Sequence, residues 1–253
     1  MTQRAFCFLG GIAIAVLCVA PWASAQNVTL TSSGNNIYDN IYVSPYYATV
    51  NGSSNTPIVC DDFKDDSYLN KGWTGNIVSF SSLATPGGLS ATAWGSVNNA
   101  LQLYEEAAWL TEGVLNQGSG TQGQINYSYA VWAVFDPTGV ASYLDNGGSP
   151  SAANIALCNA IFGSGGCAST SVTGGLLGMA QGNTYTLSEF SNVSIITPVV
   201  NGATCTAGSC PEQEFMEVPE GGAAFTYLFV AGLCCCGAMF LRSRQKIATA
   251  VTA

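Results

Sequence analysis

The chain has 253 residues with 15 acidic and 6 basic side chains, 10 cysteines and no histidine. Without histidine there is no Ser-His or Cys-His nucleophile pair, no imidazole base and no His-ligated zinc, so any catalysis would rest on carboxylates, Lys, Tyr or Cys. Between Gln26 and Gly222 only Lys64 and Lys71 offset the fifteen acids, a formal charge of −13 that repels phosphate backbones and argues against nucleic acid as a partner.

Arg4, the apolar stretch Ala5 to Ala20, Pro21 and the small triplet Ala23-Ser24-Ala25 read as a signal peptide over residues 1–25. The secretion translocon and signal peptidase are therefore expected partners, with cleavage after Ala25. Export permits disulfides, and Cys158 with Cys167 and Cys205 with Cys210 could each close a short glycine-containing loop, leaving Cys60 as an unpaired thiol. These five cysteines contain no Cys-x-x-Cys pair, so neither metal nor cofactor is expected.

From Asn27 to about Asp61, Thr, Val, Ile and Tyr alternate with Gly, Asn and Pro, which predicts short strands and a hairpin turn at Asn51-Gly52. LQLYEEAAWLTEGVL puts Leu101, Tyr104, Ala108 and Leu115 at near-helical spacing, with Glu105, Glu106 and Glu112 on a polar flank. A loop, NQGSGTQG, separates this helix from INYSYAVWAVF, a buried helix ending before Pro137. SAANIALCNAIF is a third helix, capped by Ser151 and stopped by Gly163. NTYTLSEFSNVSIITPVV returns to strand composition. Strands at both ends with helices between predict a single exported α+β domain over residues 26–204, whose terminal strands could share a sheet. Residues 205–217 read as a tether.

No catalytic residue is assigned. Asp61, Asp62, Asp65 and Asp66 lack the spacing, glycine and closing glutamate of an EF-hand loop and read as a solvated acidic turn. Glu105 and Glu106 point about 100° apart on a helix, so they read as a solvated edge and not as an acid and base flanking one bond. Trp94, Trp109, Trp132 and Phe135 stand among Ala, Leu and Val and are expected in the core.

The uncharged run over residues 223–241 nearly spans a bilayer as a helix. Arg242, Arg244 and Lys246 would hold its far end in the cytoplasm, with residues 247–253 as a tail. Such a helix makes the membrane a partner.

Two resemblances follow. The order strand, Cys60-Asp61, helix, then Tyr127-Ser128-Tyr129-Ala130-Val131-Trp132 resembles the thioester domains of bacterial surface adhesins. In that family a Cys thiol condenses with a Gln in Thr-Gln-x-Ala-x-Trp; Ser128 holds the Gln position here, and Gln122 and Gln124 are out of phase. The resemblance implies a related fold, with Cys60 as a thioester-like or free thiol. The segment over residues 218–246, Val218-Pro219-Glu220-Gly221-Gly222 followed by the apolar run and basic cluster, resembles the PEP-CTERM sorting domain of Gram-negative bacteria, with Gly221 where the family usually has proline. That resemblance implies exosortase as a partner, transient residence in the inner membrane, cleavage near Pro219 and Glu220, and delivery to the cell surface or extracellular matrix. Together these features predict a non-enzymatic exported protein that could meet extracellular polysaccharide. A surface adhesin is the second reading and a carboxylate-based polysaccharide hydrolase the third.

Overall fold

The structure is a computed structural model that describes residues 24–34, 36–168 and 174–218. Alternation of the N-terminal segment makes β1 (Ser24–Ser32), the small hairpin β2 (Ile37–Tyr38) and β3 (Ile41–Tyr42), then β4 (Tyr46–Val50) and β5 (Ser53–Cys60). Along β4 the side chains of Tyr46, Ala48 and Val50 are buried and those between are half-buried, the period of a strand with one covered face. Asn51 and Gly52 join β4 to β5 with φ of 48° and 85°, the two positive angles of a type I′ hairpin, as the sequence predicts.

β6 (Gly72–Ser79), β7 (Ser194–Val200), β8 (Ala203–Thr204) and β9 (Phe215–Glu217) complete the sheet. Its order is β6-β1-β4-β5-β9-β7, and a further pairing of β6 with β7 closes six strands into a barrel, with β8 attached to β7. Every pairing is antiparallel. Closure satisfies each strand's two hydrogen-bonding edges within the ring. Early and late strands thus share one sheet, as expected.

The chain between β6 and β7 carries α1 (Ala100–Leu115), α2 (Gln122–Phe135), α3 (Pro137–Asp145), α4 (Ala152–Phe162) and α5 (Gly175–Gln181). Thr121 caps α2 by accepting from the Gln124 amide, and Ser151 caps α4 by accepting from the Asn154 amide. α2 starts inside what reads as a glycine-rich loop, because Thr121 supplies that cap. Pro137, read as a stop, also starts α3, where a missing N–H costs nothing and Asp136 accepts from the Gly139 amide at 3.0 Å. α1 and α2 pack closely at Gly113, whose absent side chain makes room for the Tyr127 ring. Trp94 stacks on Phe135 at 5.1 Å, and Trp94 and Trp132 are buried as predicted; Trp109 and Phe135 are half-buried against the same core.

Several expectations are corrected. Residues 205–217 are no tether: β9 lies between β5 and β7 in the barrel wall, and Glu212, Glu214, Phe215 and Met216 are all buried. Strand composition before β7 is misleading, since only Ser194–Val200 pairs and residues 183–193 form turns and loop. The last two residues of the expected signal peptide, Ser24 and Ala25, pair with Ile77 and Asn76 at the start of β1. Among the described residues no helix is long and apolar enough to cross a membrane. The remainder of the expected leader, the sorting residues Pro219, Glu220, Gly221 and Gly222, the run 223–241, and Arg242, Arg244 and Lys246 lie outside the described residues; Val218 directly follows β9.

Candidate functional site

Strand register builds a buried polar row. Val59, Met216 and Ile195 stand opposite one another across β5, β9 and β7. Two residues further along the same face, the period of the pleat brings Asp61, Glu214 and Thr197 side by side, with the Asp61 amide donating to the Glu214 carbonyl. α1 covers this face: Thr111 contacts the Met216 sulfur, and the Tyr104 hydroxyl donates to Glu214 Oε1 at 2.6 Å. The opposite face turns into the barrel, where Phe215 meets Tyr46 and Trp73.

Glu214 is fully buried and fully served. Besides Tyr104, the Ala93 amide donates to Oε2 at 2.7 Å and the Thr197 hydroxyl donates to the same oxygen. Asp61 is equally buried, yet neither carboxyl oxygen has a donor from any neutral or cationic group. Burial, followed by the charges of Glu214 and Asp62, raises Asp61 well above the carboxylate range. Burial beside Glu214 therefore favours the protonated form of Asp61, while the donors around Glu214 work against the rise that burial imposes there. Asp62 completes the cluster, accepting from the Lys64 amide at 2.8 Å and pushed up to about 7 mainly by burial. The expected solvated turn is thus corrected at Asp61 and Asp62, both of which have no exposed surface. Glu106 departs from its expected solvated edge as well, being buried with Gln102 donating to it at 2.9 Å, whereas Glu105 is half-buried.

Cys60 stands at the end of β5, fully buried and unpaired. Its thiol donates to the Asp62 carbonyl at 3.1 Å, and the Trp132 indole N–H lies toward the sulfur. Burial, then the neighbouring Asp62 and Asp61, pushes the thiol well up, so it stays protonated and poorly nucleophilic. The Cys60 amide donates to Ser44 Oγ at 3.0 Å, and the Ser128 hydroxyl on α2 donates to the Ser44 carbonyl at 3.1 Å. One serine thus bridges Cys60 and the helix position where the family resemblance expects glutamine. Gln124 lies one turn before Ser128, but its amide is committed: Oε1 accepts from Asn36 and the Gly120 amide, and Nε2 donates to the Val114 carbonyl.

Of the remaining cysteines, Cys158 and Cys167 form a disulfide with Cα atoms 5.1 Å apart, as expected. Cys205 and Cys210 are corrected to thiols: Cys205 is buried, and Cys210 is half-buried and donates to the Thr206 carbonyl at 3.4 Å. Their loop is held to the acidic segment by the Gly208 amide donating to Asp65 at 2.8 Å. Lys64 lies over Trp94 and Lys71 pairs with Glu212 at 2.6 Å, so both lysines of the domain are engaged. Among the described residues no group of three or more Cys, Asp or Glu side chains is arranged to hold a metal ion.

Sequence reasoning missed Glu214 beside Asp61, and Tyr104 and Thr197 as the donors to Glu214. One signal was available: Glu214 is followed by the apolar pair Phe215 and Met216, which suits a buried strand better than a tether.

No family model matches the chain, and no curated protein matches it. Among solved structures it shows a distant similarity to the N-terminal thioester domain of fibronectin-binding protein SfbI from Streptococcus pyogenes. The two share 11% identity over 77% of this chain and 92% of that domain, with a TM-score of 0.38.

Proposed function

We propose that this is an exported, non-enzymatic protein of the bacterial surface or extracellular matrix, whose barrel domain works by noncovalent contact. The observation that carries the reading is the Cys60 environment: a protonated thiol with no exposed surface that donates to the Asp62 carbonyl, on a residue whose amide is joined through Ser44 to Ser128. Thioester chemistry needs a thiolate and an acyl donor in contact; the Gln124 amide is engaged elsewhere, and the Gln213 amide, though it donates at 2.7 Å to the Asp62 carbonyl that the Cys60 thiol also meets, faces a thiol that keeps its proton. The buried row of Asp61, Glu214 and Thr197 is likewise better suited to holding three strands and α1 together than to receiving a substrate.

Delivery by exosortase rests on Val218-Pro219-Glu220-Gly221-Gly222, the uncharged run after it and the basic residues Arg242, Arg244 and Lys246. In this reading the barrel stays folded up to Val218, and cleavage falls just beyond it. Proline and the two glycines keep the backbone there out of helix and accessible to a protease.

Two measurements test the proposal. Mature protein compared between wild-type and exosortase-deficient cells, and in Glu220→Ala, should change in size and location; no change in either removes the sorting route. Intact mass of the purified protein should show loss of hydrogens for disulfide formation and no loss of ammonia. An ammonia loss mapped to Cys60 would restore covalent capture.

A further inference from the structure

On the outer face of the barrel, Tyr47 of β4 stands opposite Pro57 of β5. Tyr46, its neighbour, points inward to Phe215, so the pleat sends Tyr47 out. Beside this pair the end of α1, the first turn of α2, Asn36 and Asn192 enclose an open cleft of about 540 Å³. The floor is kept clear at Gly34, with φ of +65°, where a side-chain carbon would meet the Pro45 carbonyl at 2.8 Å and the Tyr47 ring at 3.5 Å. Gln117 lies along the lining above Gly123, whose lack of a side chain accommodates it.

The chemistry of the wall is specific. Neutral amides dominate it, and among the described residues the side chains of Asn116, Gln117 and Asn192 make no hydrogen bond. Gln124, bonded through both Oε1 and Nε2, and Asn36, which donates to it, form the back wall. Among the described residues of the lining Glu112 is the one carboxylate, raised by burial and then by Glu189, and none is Lys or Arg. Planar amides with unspent donors and acceptors match vicinal hydroxyls, and a half-exposed aromatic face matches the C–H face of a sugar ring. An anionic ligand would meet Glu112 without a cation. A peptide strand would find no edge, because β4 is paired on one side with β1 and on the other with β5.

We infer that this cleft binds a neutral polysaccharide segment, with Tyr47 as the stacking surface and Asn116, Gln117 and Asn192 as hydroxyl-reading groups. The inference rests on the surface or matrix reading and names its ligand class. The test uses full-length protein purified from producing cells in detergent. Its binding is measured against neutral β-glucan, galactan and mannan oligosaccharides, an acidic uronate oligosaccharide and a random peptide library.

A neutral oligosaccharide should bind, and Tyr47→Ala and the double variant Asn116→Ala/Gln117→Ala should each weaken it by about tenfold or more without lowering Tm. Met179→Ser, on the exposed face of α5, should bind as the parent does. Absence of neutral-sugar binding at millimolar ligand, undiminished binding by both cleft variants, or preference for the uronate or for peptide would each overturn the inference. Cellular location is scored separately in the same strains. Exosortase-dependent export with no sugar binding sinks the ligand assignment alone, whereas sugar binding without export sinks the sorting route alone.

Discussion

The Asp61 carboxyl lies against Glu214 across the junction of β5 and β9, with no exposed surface on either residue. Only one of the two can be ionised there, because a second charge would stand beside the first in a medium that solvates neither. Asp61 and Asp62 both bind a proton more tightly folded than unfolded; Asp62 rises from 3.8 to about 7. The folded state then holds more protons than the unfolded state at these sites, so stability falls as pH rises. The fall begins near the unfolded carboxylate pKa and continues past 7. Repulsion within a segment of formal charge −13 acts in the same direction. Urea midpoints should therefore decrease steadily from about pH 5 to about pH 9. Asp61→Asn, which mimics the protonated acid, should flatten the upper part of that decline. A midpoint that rises over this range would refute the assignment of a protonated Asp61.

Glu214 accepts from three donors, so an amide in its place would turn an N–H toward at least one of them. Glu214→Gln should cost about 1–3 kcal/mol, and Tyr104→Phe about 1 kcal/mol by leaving Oε1 short of a donor. The two changes should couple in a double-mutant cycle by denaturant unfolding, since they remove the ends of one bond. Additive losses would mean that the 2.6 Å contact contributes nothing of its own.

Gly113 lies inside α1, where helix propensity alone predicts that alanine stabilises by roughly 1 kcal/mol. The Tyr127 ring of α2 occupies the space a side-chain carbon would need. Gly113→Ala should therefore destabilise, by about 1–3 kcal/mol, and Gly113→Ala/Tyr127→Ala should recover part of the loss. Thermal denaturation of the two variants decides the sign.

The cysteines should separate into three behaviours on differential alkylation and peptide mapping. Cys158 and Cys167 should label only after reduction. Cys210 should label first among the thiols in the native protein, and Cys60 only on unfolding. Replacing Cys158 and Cys167 together by serine should lower stability by roughly 2–3 kcal/mol, the entropy of so short a loop. Native labelling of Cys60 would contradict its burial.

Local physics was legible along the chain. Asn51-Gly52 admits the two positive φ angles of a hairpin, Ser151 caps α4 and Gly163 ends it, and apolar spacing around Tyr104 sets α1. Each depends on residues a few positions apart, so composition and period suffice to find it. The mixed α+β class followed from their order. The cysteine pairing was legible only in part, since loop length alone does not distinguish Cys158 with Cys167 from Cys205 with Cys210.

What only the tertiary structure decided was which polar residues go inside. Asp61 and Glu106 look like surface residues because carboxylates are seldom buried, and Glu214 sits in a stretch whose polarity suggested a tether. Their burial depends on a register that sets β9 between β5 and β7, and on α1 bringing Tyr104 to Glu214 from 110 positions away in sequence. The cleft behind Tyr47 is of the same kind, since its walls come from two strands, two helix ends and several loops distant in sequence. A buried charge needs donors and a binding cleft needs walls, and both are supplied across long sequence separations that no local pattern records.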